Sequence, residues 1–183
     1  MTRQNDNELF QVVSEENRMI TKIMVPVAFS KYSLGILDFA AEVAKPLGAE
    51  LQVVNVISDR DLEAVNKITE FGYKVDSDKY LETIKKERRE SITAMADHLT
   101  LPDDKVSFTF LIGDPTSELL RFVVESEIDL VVMGIKARDL KHMFAGSVAE
   151  RMFRRCPVPV LSYRGDDIAE RLRKRVYRHI GDH

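Results

Sequence analysis

Five short apolar runs punctuate this chain, and between them the apolar residues recur at helical spacing. The runs are Lys22–Ala28, Glu50–Ile57, Val106–Ile112, Asp129–Gly134 and Pro157–Tyr163. The first and fourth are continuous rather than alternating, as in strands covered on both faces. Val106, Phe108, Phe110 and Ile112 alternate with Ser107, Thr109 and Leu111, which predicts a strand with a partly wet face near a sheet edge. Between the runs, Leu34, Ile36, Leu37, Ala40, Ala41 and Ala44 share one helical face, with Ser30 as the expected N-cap. Tyr80, Ile84, Ile92, Met95, Ala96 and Leu99 mark a second helix over residues 76–99, and Leu119, Leu120, Phe122 and Val123 a third, capped by Asp114 or Thr116. Ser147 opens a fourth. Leu62, Val65 and Ile68 suggest a short helical piece ended by Gly72.

Alternation of strand and helix builds a parallel sheet with helices on both faces. The predicted fold is therefore an open five-stranded α/β sheet of Rossmann-like type, in the order 3-2-1-4-5. That order opens a crevice between the carboxyl ends of strands one and four, where such sheets bind ligands. Ala28, Phe29 and Ser30 lie at one lip, and Gly134 onward at the other.

The 183 residues fit one domain with extensions. Residues 1–21 read as a mobile polar arm, 22–163 as the domain, and 164–183 as a C-terminal extension. In that extension Ile168, Leu172, Val176 and Ile180 form an apolar stripe beside Arg171, Arg173, Lys174, Arg175 and Arg178. The plainer reading is a helix packed on its own domain or dimer mate; the alternative is a basic amphipathic helix for a partner or a membrane surface. A net charge of −3 gives no reason to expect nucleic-acid binding. The single cysteine, Cys156, excludes an internal disulfide and fits a reducing, cytoplasmic setting; beside Pro157 it reads as a small buried thiol. No leader-like apolar region follows Met1, and no apolar run reaches the roughly 20 residues a membrane helix needs. His98, His142, His179 and His183 are scattered, without metal-ligand spacing. No nucleophile elbow or Walker-type loop is present, so a binding module is expected rather than an enzyme.

Over roughly residues 22–163 the chain resembles the universal stress protein family. The resemblance is carried by Ile23–Val27 ending in Ala28-Phe29-Ser30, by Gly113-Asp114-Pro115, by Asp129–Gly134, and by Gly146–Arg151 through Cys156–Leu161. It implies a stress-response regulatory protein acting as a homodimer through its last strand, with Val158, Val160 and Leu161 at the interface, and a protein partner yet to be identified. It also implies a pocket for ATP or AMP, with adenine near Val56 and Met133. Pro26, Val27 and Ala28 would line the base or ribose, and Gly134, Ala137, Gly146, Ser147 and Val148 the phosphates, beside Arg138 of a cationic loop.

The pocket departs from the family pattern. Ala137 replaces a glycine, Ala28 an acidic residue and Phe29 a glycine, and the spacing from Ala137 to Gly146 is one residue short. Ala137 resists positive φ, and Phe29 is expected to fill or narrow the crevice. The pocket is therefore expected to be degenerate and to hold ATP weakly or not at all. The alternatives are an ATP- or AMP-responsive switch with an intact site, and a plain helix start at Gly146-Ser147 with no ligand.

Overall fold

The computed structural model describes residues 19–59, 77–134 and 147–180. Residues 1–18 of the expected N-terminal arm, the short helix expected around Leu62–Ile68, and Ala137, Arg138 and Gly146 lie outside the described residues. Five strands, β1 (Lys22–Pro26), β2 (Glu50–Ser58), β3 (Val106–Gly113), β4 (Leu130–Gly134) and β5 (Val160–Tyr163), form one sheet in the order β3-β2-β1-β4-β5. Every pairing is parallel. The described helices are α1 (Ser33–Leu47), α2 (Ser77–Ala96), α3 (Pro115–Glu125), α4 (Val148–Arg155) and α5 (Asp166–Ile180).

Successive strand residues point to opposite faces, and each face carries its own core. Ile23, Val25, Leu51, Val53, Leu130 and Val132 pack with Ile36, Leu37 and Ala40 of α1 and Ile92 of α2. Met24, Val54, Val131 and Met133 pack on the other face with Leu119 and Val123 of α3 and Met152 of α4. Burying each such side chain contributes about 1.5–3 kcal/mol, which is why β1 and β4 read as continuous apolar runs. β3 is an edge strand, as its alternation implies, with Phe108 and Ile112 exposed.

Local capping follows the expected chemistry at two helices. Asp114 Oδ1 accepts from Ser117 N at 2.9 Å and starts α3, while Ser147 Oγ accepts from Glu150 N at 3.2 Å and starts α4. α1 differs. It begins at Ser33, and its N-cap Tyr32 makes no side-chain cap. Ser30 instead serves a tight turn before the helix: its Oγ accepts from Tyr32 N at 3.3 Å and its carbonyl from Ser33 N at 2.9 Å. β5 starts at Val160, so Pro157 and Pro159 precede it and remove no N–H from the strand.

α5 docks by its first turn. Ile168 is fully buried, whereas Val176 and Ile180 further along the same stripe are 53% and 63% exposed. The Tyr32 hydroxyl and Lys31 Nζ both donate to Asp167 Oδ2, at 2.8 and 2.9 Å. These bonds hold the Asp167 carboxyl below its ordinary range and the Lys31 ammonium above its own.

Candidate functional site

β1 and β4 pair side by side, and their carboxyl ends open into a cavity of about 480 Å³. That size suits a small organic ligand. Pro26, Val27 and Ala28 leave β1 along one wall, Val56 adds the apolar side of β2, and Met133 and Gly134 end β4 opposite. Ser147 and Val148 close the rim at the start of α4. Thus eight residues expected at a pocket from the sequence (Pro26, Val27, Ala28, Val56, Met133, Gly134, Ser147 and Val148) line one space. Several lining residues were not anticipated: among them Tyr32 and Ile36 come from α1 and its approach, Asn55 from β2, and Pro115 and Leu119 from α3.

Gly134 lies against Ile36 of α1: a Cβ built there would stand 2.5 Å from Ile36 Cδ1 and 3.2 Å from its Cγ1, so a larger residue would make the Ile36 side chain shift. Phe29 adopts φ 48°, the left-handed region that glycine enters freely. The turn geometry thus persists with a bulky residue in place, at a strain of about 1–2 kcal/mol. Phe29 does not fill the crevice. Its ring turns to the β1–β2–α1 core and walls an adjoining cavity of about 340 Å³. Arg88 and Glu87 of α2 face that second space, which shares Ala28, Asn55 and Val56 with the first.

Asn55 is 3% exposed and joins the two spaces. Its Nδ2 donates to the Val27 carbonyl at 2.7 Å, and its Oδ1 accepts from Arg88 Nη1 at 2.7 Å. The amide orientation is set by chemistry, because the carbonyl only accepts and the guanidinium only donates. The Arg88 guanidinium also lies 5.6 Å from the Phe29 ring centroid. On the far side, Arg151 Nε is buried without a hydrogen-bond partner, and its charge helps to hold the Asp114 carboxyl low, after the larger effect of the bonds from Ser117.

Burial raises the Cys156 thiol above its ordinary range, which disfavours the reactive thiolate. Among the described residues, no group of three or more His, Cys, Asp or Glu side chains could hold a metal. No helix among them is long and apolar enough to cross a membrane.

Val158, Val160 and Leu161 are each half-buried on or just before β5, which among the described residues pairs only with β4. Val131 N donates to the Pro159 carbonyl, and Val131 pairs with Val160. That parallel register turns the N–H and C=O groups of Val160 and Ser162 to the open side of the sheet.

An open parallel sheet in the order β3-β2-β1-β4-β5, with a crevice at its switch point, is a doubly wound α/β fold. The universal stress protein family matches residues 19–164, and the chain belongs to that family. Universal stress protein MJ0531 of Methanocaldococcus jannaschii is 27% identical over 154 residues, covering 84% of this chain and 87% of that one. A universal stress protein solved in complex with cAMP superposes with TM-score 0.58 at 18% identity, over 80% of this chain and 98% of the other. The universal stress protein from Archaeoglobus fulgidus in complex with dAMP gives TM-score 0.55 at 20% identity, over 80% and 100%.

Proposed function

We propose that this protein is a regulatory binding module of the stress response, a homodimer joined through β5, whose crevice takes a purine mononucleotide more readily than ATP. One observation carries the reading: the cavity between the tips of β1 and β4 is open, apolar along Val27, Val56 and Met133, and polar where Ser147 starts α4. An aromatic base suits the apolar end, and a single phosphate suits free backbone N–H groups at a helix start. The cAMP and dAMP carried by two proteins of the same fold support a mononucleotide. Ala28 and Phe29, in place of an acidic residue and a glycine, speak against strong ATP binding. The apolar, outward-facing edge of β5 supports the dimer, because a bare edge of this composition invites pairing. A protein partner reading the dimer surface completes the proposal, and the lone raised thiol of Cys156 is compatible with a reducing cytoplasm.

Calorimetry at about 100 μM protein, with MgATP and with nucleoside monophosphates, tests this. The expected result is saturable monophosphate binding and a MgATP dissociation constant of about 100 μM or weaker. A low-micromolar MgATP constant, or no binding of any nucleotide, contradicts it.

A further inference from the structure

The helix α5 lies beyond the family match, which ends at residue 164. Its apolar residues Ile168, Leu172, Val176 and Ile180 stand four apart, and each such step turns the stripe by about 40° around the helix. The stripe therefore winds off the domain. Ile168 is buried and Leu172 half-buried, while Val176 and Ile180 are exposed, with Tyr177 exposed beside them. The bonds from Tyr32 and Lys31 to Asp167 hold the first turn in place.

Charge divides the helix in the same way. The acids Asp166, Asp167 and Glu170 stand at its start, whereas Arg171–Ile180 carries Arg171, Arg173, Lys174, Arg175 and Arg178 and no acid. All five cations are exposed. Among the described residues only Lys174 of the five has an ion-pair partner, Glu170 at 2.7 Å. Arg173 and Arg175 stand about 80° to either side of the midline between Leu172 and Val176, so cations flank the stripe on both edges.

We propose that the outer turns of α5, Arg171–Ile180, dock on an anionic lipid surface. Val176 and Ile180 enter the headgroup boundary, and the flanking arginines meet the lipid headgroups. An apolar stripe edged by cations suits a helix lying in the plane of such a surface. The helix does not span it, since no helix among the described residues is long and apolar enough to cross a membrane. A lipid surface answers both the stripe and its flanks, whereas an acidic protein face answers the cations alone. A second copy of α5 is the poorer occupant, because two such helices side by side set like charges against each other. The exposed stripe is short, so binding depends on anionic lipid and fades with salt.

The test is sedimentation of the full chain with two kinds of vesicle, phosphatidylcholine alone and phosphatidylcholine mixed with phosphatidylglycerol. Binding to the mixed vesicles should be at least about tenfold tighter, and high salt should weaken it about tenfold or more. Replacing three cations, by Arg173→Gln, Arg175→Gln and Arg178→Gln together, should weaken it about tenfold or more. Val176→Ser with Ile180→Ser keeps every cation and should also weaken it about tenfold. Absence of binding to the mixed vesicles, or equal binding to both kinds, overturns the proposal. Unchanged binding in the glutamine variant overturns it too, since the contact then lies elsewhere. Unchanged binding in the serine variant is the response of a polycation to any acidic surface, a protein face included, and overturns insertion of the stripe. A loss of dimer mass in the serine variant, seen by light scattering, assigns the stripe to a second copy and also overturns it. The vesicle and salt comparisons use the wild type alone, so they decide even where circular dichroism shows a variant to be misfolded.

Discussion

The Tyr32 hydroxyl donates to Asp167 at 2.8 Å across 135 residues of sequence, and Tyr32 also lines the crevice. The first turn of the C-terminal helix is thereby tied to the rim of the candidate site. Asp167 has a lowered folded pKa, so its contribution is complete above the unfolded value near 3.9 and fades as pH falls through the lowered one. Lys31 has a raised pKa, so its share is complete below its unfolded value of 10.5 and fades as pH rises through the raised one. The protection factors of the Ile168 and Ala169 amides, which correct for the intrinsic pH dependence of exchange, should therefore hold between these limits and fall in acid. Asp167→Asn should remove the acid-limb dependence; an unchanged acid limb in that variant contradicts the assignment.

The start of β1 is held by Asp129. Its Oδ2 accepts from Thr21 N at 2.9 Å, Thr21 Oγ1 at 2.8 Å and Lys22 N at 3.0 Å. Bonds of this kind to a charged acceptor are stronger than neutral ones. Asp129→Ala should destabilise the fold by about 1–3 kcal/mol, read as a lower urea midpoint with an unchanged slope.

Gly35 on α1 lies against Tyr163 of β5. A Cβ at Gly35 would stand 2.4 Å from the Tyr163 hydroxyl oxygen and 3.1 Å from its Cζ. Gly35→Ala should push the ring from its 5.6 Å contact with Phe39 and cost about 1–3 kcal/mol, despite alanine's better helix propensity. Tyr163→Phe in the same chain should recover part of that loss. A double-mutant cycle in chemical denaturation measures the coupling, and simple additivity would contradict the contact.

Dimerisation has a backbone-specific test. Ser162 turns its N–H away from β4, so Ser162→Pro removes an outward donor and leaves the β4 ladder intact. Light scattering should give twice the 20.9 kDa chain mass for the wild type and the single mass for the variant. A variant that remains dimeric places the interface elsewhere.

Much of this architecture was legible in the sequence because it is written in local periodicity. The continuous runs at β1 and β4, the alternation at β3, and the caps Asp114 and Ser147 each follow from a few neighbouring residues. The crevice followed from topology, and the structure brings Ala28 and Gly134 to it. Features that depend on distant pairing were not legible. Arg88 looks like one of many charged residues on the wet side of an amphipathic helix, and only the folded chain brings it to Asn55, 33 residues earlier. Phe29 was expected to obstruct the crevice, but its positive φ turns the ring away. The apolar stripe of α5 is consistent in sequence with packing on the domain or a dimer mate and with a partner or membrane surface; in the fold Ile168 is buried and Leu172 half-buried, while Val176 and Ile180 are exposed.

The central claim is that ligand enters between the tips of β1 and β4. Titrating isotope-labelled protein with AMP, while following backbone amide shifts, tests it directly. The account predicts saturable shifts concentrated at Val27, Ala28, Val56, Gly134 and Val148. Saturable shifts confined to β5 or α5, with those five amides unmoved, would contradict it.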